Sequence, residues 1–129
     1  MLVRGLRYFA FFFGAVCVAI ALGHILIGPR IIPGGVPVNA TMDSEDRFYA
    51  TLFLGYGAAM IWSARDLAAR RGGFLALIGV FFLGGVARLV SFAQVGPPHP
   101  LFIFLAGLEL VLPPVLWLWL NAAHPQEAA

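Results

Sequence analysis

Charge is scarce in this chain. Of its 129 residues only 11% are Asp, Glu, Lys or Arg, and the net charge of +2 is too small and too close to apolar segments to suit nucleic acid. Cysteine is nearly absent as well. The single Cys17 sits inside an apolar run, which excludes an internal disulfide, a CxxC redox pair and a cysteine metal cluster. No HExxH, nucleophile elbow, phosphate loop or pair of haem-ligating histidines occurs, so the sequence implies no catalytic residue, metal or cofactor. A cleaved secretory signal is also disfavoured. Arg4 and Arg7 precede an apolar run and Ala19-Ile20-Ala21 imitates a cleavage box, but the run from Tyr8 to Ile27 exceeds the ~7–15 residues of a signal core. Gly14-Ala15-Val16 before Cys17 is no lipoprotein box.

What is abundant is hydrophobicity: 61% of residues, with a mean hydropathy of +0.92, against ~45–50% in soluble domains. The charges gather at the amino terminus and in residues 41–47 and 65–71, leaving four apolar runs of about 8–27, 42–66, 73–93 and 100–120. This is the pattern of spans and loops. The expected fold is a single all-α domain over residues 1–129, a four-helix transmembrane bundle with membrane lipid as its surroundings. Basic residues near residues 4–7 and 65–71, and none at 93–99 apart from His99, place both termini in the cytoplasm and the loops at 28–47 and 93–99 outside.

Each run has a stripe of small or polar residues that is expected to face its neighbours, because helices in lipid pack through close backbone approach. In the first run the stripe is Gly14, Cys17, Ala21, His24 and Gly28. In the second it is Arg47, Thr51, Gly55 and Ala58. In the third Gly84, Arg88 and Ser91 share a face, and in the fourth Ala106, Glu109 and Pro113, with Trp117 and Trp119 near the inner interface. Between the first two runs, GPRIIPGGVPVNAT is too rich in Pro and Gly for helix or strand, and its apolar residues suit an outward loop lying on the membrane surface or over the helices. Asn39-Ala40-Thr41 also fits a glycosylation acceptor. Thr41 is the expected cap of the second helix, with Asp43, Glu45 and Asp46 in its first turns at the outer interface, where carboxylates complement the helix dipole. The tail AAHPQEAA has no pattern and is expected to be mobile.

With this topology His24, Arg47, Arg88, Ser91 and Glu109 all fall in the outer half. Arg88 lies ~6 Å and Glu109 ~13 Å below the outer boundary, an offset that an arginine can bridge. Pro113 and Pro114 also free the carbonyls of Glu109 and Leu110 from their helix partners, so the spot needs donors twice over. Three readings of the pair stand open. It can be a neutralised structural contact, the lining of a polar pocket opening outward, or an Arg88 reaching for the headgroups.

The strings IIPGGVPVNATMDSEDRFYATLFLGYG and GGVARLVS, together with a glutamate in the last run, resemble the bacterial domain-of-unknown-function 4345 family of small four-span membrane proteins. That resemblance covers nearly the whole chain and implies an inner-membrane, multi-pass protein. It gives weight to Phe48, Tyr49, Gly55, Arg88, Ser91 and Glu109 without assigning them roles. A fainter likeness is to DoxX-type four-span proteins, some of which attend redox chemistry. The function expected is a non-catalytic module that binds a small amphiphile or a partner membrane protein; the alternative is a membrane-embedded enzyme or redox accessory using His24, Arg88 and Glu109. Transport by four spans would require a homo-oligomer.

Overall fold

A computed structural model describes residues 1–123; the end of the tail, residues 124–129, lies outside the described residues. Four α-helices account for nearly all of it: α1 Leu2–Ile27, α2 Ala40–Arg65, α3 Arg71–Val95 and α4 Pro100–Ala123, with one short 3-10 turn, Pro29–Ile31, after α1. No strand occurs among the described residues. Three of the helices, α1, α3 and α4, are long and apolar enough to cross a membrane. α2 is as long as α1 but is not apolar enough to meet the same measure: Asp43, Glu45, Asp46 and Arg47 occupy its first turns, and Tyr, Gly, Thr and Ser residues and Arg65 dilute the rest.

The local sequence explains where these helices stop. α1 ends at Gly28, whose φ of 78° is open to glycine at little cost and whose N–H reaches the His24 carbonyl at 2.8 Å. Pro29 then prevents continuation. α2 is capped by Asn39, which is extended and accepts from the Met42 N–H at 3.0 Å. Thr41, the expected cap, is instead inside the first turn. Asn39 takes the role because it stands three residues before a free N–H, the spacing that a capping side chain needs.

Neighbouring helices run antiparallel, as residue pairs along their length show. His24 meets Asp46 and Gly14 meets Gly57 between α1 and α2. Gly85 meets Leu110 and Arg71 meets Asn121 between α3 and α4. α1 packs mainly on α2, and α3 mainly on α4. The two pairs are joined by Trp119 of α4, which donates to the Leu2 carbonyl at 3.1 Å, and by Tyr56 of α2, which donates to the Leu77 carbonyl at 2.9 Å. Phe13 crosses the interior to meet the Phe81 ring edge-on at 4.9 Å.

The α1–α2 crossing rests on two glycines. A Cβ on Gly14 would lie 2.8 Å from the Gly57 carbonyl oxygen, and one on Gly57 would lie 2.8 Å from that of Gly14. Backbones approach this closely only where no side chain intervenes. Gly14, Cys17, Ala21 and Gly28 are buried as the α1 stripe requires, and so are Ala106, Glu109 and Pro113 of α4. The stripe expected for α2 is corrected. Thr51, Gly55 and Ala58 are exposed, and the buried line runs through Ala50, Gly57, Met60, Ser63 and Ala64.

The apolar core is lopsided. Leu6, Ala10, Met60, Ala64, Leu67, Phe74, Ile78, Leu116 and Leu120 form one cluster, all of it at the end that holds the start of α1 and the end of α4. A layer of Phe13, Tyr56 and Phe81 follows. Beyond that layer, toward the loops at 28–39 and 96–99, small buried residues such as Ala21, Ala50 and Ala106 pack beside the ion pairs His24–Asp46 and Arg88–Glu109.

Candidate functional site

At the loop end two ion-pair groups hold the helices together. In the first, Nδ1 of His24 donates to both oxygens of Asp46, at 2.9 and 3.1 Å, with each side chain about four-fifths buried. Beside Asp46 on α2, Arg47 donates through Nε to Asp43, one turn outward, at 2.7 Å and through Nη1 to the Ile25 carbonyl, which the end of α1 leaves without a helix partner. The hydrogen bond from Arg47 holds the Asp43 carboxyl below its usual value. Gly28 is the floor under this pair, since a Cβ there would come within 2.7 Å of Arg47 Nη2 and of Asp43 Oδ1.

The second group joins α3 to α4. Nε of Arg88 donates to Oε2 of Glu109 at 2.8 Å. The two partners are unequally placed: Glu109 is only 7% exposed, whereas a third of the Arg88 side chain is accessible. Glu109 is reached because α3 is cut away beside it. Gly85 packs directly on Leu110 and on the Glu109 Cβ, and a Cβ on exposed Gly84 would lie 3.7 Å from Oε2. Phe102, two turns before Glu109 on the same face of α4, sets its ring 5.5 Å from the Arg88 Cζ. Nη1 and Nη2 of Arg88 have no hydrogen-bond partner among the described residues.

Of the residues singled out from sequence, His24 and Arg47 therefore belong to the α1–α2 pair and Arg88 and Glu109 to the α3–α4 pair, and no hydrogen bond among the described residues links the two groups. Ser91 is exposed one turn beyond Arg88, and Thr41 and Glu45 are exposed on α2. Gly55 is exposed with open space around it. Phe48 and Tyr49 form an exposed edge-to-face pair, rings 5.6 Å apart. Sequence reasoning missed Asp46 as the partner of His24 and Phe102 as the partner of Arg88. The second was within reach, since residues 102 and 109 lie seven apart on one helix.

A hollow of about 440 Å³ opens under the loop beside Arg30, Val36, Val38 and Asp43. Another, of about 420 Å³, lies at the start of α1 beside Arg4, Arg7 and Phe11. Neither is lined by His24, Arg88 or Glu109. Among the described residues no group of three or more His, Cys, Asp or Glu side chains is arranged to hold a metal ion.

Four helices, three of them apolar and of membrane-crossing length, with ion pairs concentrated at one end, are the features of a small helical membrane protein. The chain belongs to a particular family: residues 5–120 match the family model of a domain of unknown function, DUF4345. No curated protein and no solved structure matches it, and nothing supports the likeness to DoxX-type proteins.

Proposed function

We propose that the chain is a single four-span domain of the bacterial inner membrane, a helical bundle with both termini cytoplasmic. It acts as a non-catalytic binding module whose polar end faces outward. α2 crosses with the others: at 26 residues it is ~39 Å long, and Leu52 and Trp62 expose apolar surface as the other helices do. Its charged first turns stand in the headgroup layer. The orientation follows from Arg4, Arg7, Arg65, Arg70 and Arg71, which gather at the end holding the start of α1 and the α2–α3 connection.

The single observation that carries a binding role is the imbalance of the Arg88–Glu109 pair. A contact serving only to neutralise a buried acid would bury both partners. Here Glu109 is enclosed while the far edge of the guanidinium stays accessible and unpaired. In hydrocarbon an unpaired N–H is costly, so an acceptor from outside the chain is required. The pair is thus the seat of a small amphiphile or of a partner membrane protein.

Intact-mass analysis of the protein purified in mild detergent tests this. A bound molecule carried by the wild type and lost in Arg88→Gln supports the proposal; identical spectra, with nothing retained by either, refute it. Labelling of single cysteines at Val36 and Arg65, in a Cys17→Ala background, tests the orientation. Both are exposed, and Val36 must react from the periplasmic side and Arg65 only from the cytoplasmic side.

A further inference from the structure

We propose that Arg88, Glu109 and Phe102 hold the headgroup of one zwitterionic phospholipid, its phosphodiester on the open edge of Arg88 and its primary ammonium turned toward Glu109. This rests on the reading of the pair as a binding seat, and narrows that reading to one class of ligand.

The donor side comes from the guanidinium. Nε is committed to Glu109, so the planar group presents Nη1 and Nη2 away from the carboxylate, where a third of the side chain is accessible. Paired N–H groups at this spacing match two oxygens of a phosphate, the geometry for which arginine is suited above lysine. The Phe102 face beside Cζ holds the guanidinium between ring and ligand.

Charge balance selects among phosphate-bearing molecules. Glu109 already neutralises Arg88, so a purely anionic ligand would leave an uncompensated negative charge in a medium of low dielectric. A zwitterion adds none. Its ammonium has a matching acceptor, since Oε1 of Glu109 has no hydrogen-bond partner among the described residues. Gly84 provides the approach: it is exposed, and only the hydrogen of a glycine stands where a side chain would cover the carboxylate.

The surroundings select a lipid over a free headgroup. Phe81 on α3 and Leu105 and Leu112 on α4, each partly exposed, lie on the faces that carry Arg88 and Glu109, an apolar surface for acyl chains. Arg88 lies seven residues before the end of α3, ~10 Å along the axis, a depth that the long side chain and a headgroup span together.

The test is native mass spectrometry of the full chain, delipidated in mild detergent and offered equal amounts of phosphatidylethanolamine, phosphatidylglycerol and phosphatidylcholine of the same acyl composition. The wild type should retain one phosphatidylethanolamine about tenfold over either competitor, the scale of one charge-assisted hydrogen bond. Glu109→Gln should reverse the order in favour of phosphatidylglycerol. Gly84→Val, which removes neither charge and covers the carboxylate, should lower phosphatidylethanolamine retention alone. Arg88→Gln should lose all preference, and glycerophosphoethanolamine, the same head without chains, should not compete. Equal retention of the three lipids by the wild type, an unchanged order in Glu109→Gln, or full competition by the chainless head would overturn the proposal. Arg88-dependent retention of some other amphiphile would overturn this inference and leave the binding seat standing; retention indifferent to Arg88 would remove both.

Discussion

Arg88 and Glu109 differ in burial, and the difference makes an asymmetric prediction for a double-mutant cycle. Arg88→Met removes the only hydrogen-bond partner, among the described residues, of a carboxylate that is 7% exposed. Breaking a fully buried pair from one side costs ~3–5 kcal/mol, and a partner that is one-third accessible lowers this to about 2–3 kcal/mol. Glu109→Leu leaves the arginine instead. That side chain can turn toward the headgroups, so the loss should be about 1 kcal/mol. If the two acted independently, the double variant would lose the sum, about 3–4 kcal/mol. With both charges gone and apolar volume in their place, it should fall within about 1 kcal/mol of the wild type. The assay is reversible unfolding in mixed micelles of mild detergent and sodium dodecyl sulfate, followed by circular dichroism. A double variant as unstable as the sum of its parents would show that the two residues do not pair, and the reasoning built on them would fail.

Further outcomes follow from other parts of the chain. Gly14→Leu should destabilise by more than about 2 kcal/mol in the same assay, because its side chain would press on Ile61 and the Gly57 carbonyl, whereas Gly55→Leu should change stability by less than about 0.5 kcal/mol. Comparable losses for the two would refute the crossing. For Asp43 the folded carboxyl titrates below its ordinary 3.8 owing to the Arg47 hydrogen bond, so its contribution is present above that value and is lost as pH falls through the lower folded one. The stability difference between wild type and Asp43→Asn should therefore be constant from pH 7 to about pH 5 and vanish in stronger acid. A difference that grows on acidification has the wrong sign.

Sequence legibility varied from helix to helix for reasons of composition. On α1 Gly14, Cys17, Ala21 and Gly28 recur at spacings of three, four and seven and mark the packed face, although Ala15 and Ala19 are small and exposed. On α4 the line of Ala106, Glu109 and Pro113 is buried as expected, while Gly107 and Pro114 beside it are exposed. On α2 small residues occur all the way round. Gly55 and Gly57 stand two apart, on opposite sides, and spacing alone favoured the one in line with Arg47. Thr51 strengthened the error, although its hydroxyl is satisfied locally by the Phe48 carbonyl at 2.7 Å and does not need to face inward. On α3 the adjacent Gly84 and Gly85 divide the work, the first leaving space over the carboxylate and the second carrying the packing.

The site was legible in its members but not in its grouping. Charged residues in apolar runs are few enough that His24, Arg88 and Glu109 identify themselves. Which of them meet depends on how helices rotate about their axes, and that is set by glycine contacts a single stripe does not resolve. His24 found Asp46 on the neighbouring α2, one of three acids in the same two turns. The result is a protein with its large apolar cluster at one end and its ion pairs at the other, where Nη1 and Nη2 of Arg88 have no hydrogen-bond partner among the described residues.

The pairing of Arg88 with Glu109 in a bilayer is open to direct measurement by solid-state NMR on protein carrying ¹⁵N-arginine and ¹³C-glutamate, using a Glu109→Gln control to assign the contact. The account predicts strong dipolar coupling between the Arg88 Nε and the carboxylate carbon of Glu109, consistent with the 2.8 Å hydrogen bond. No coupling above that of the control would contradict it.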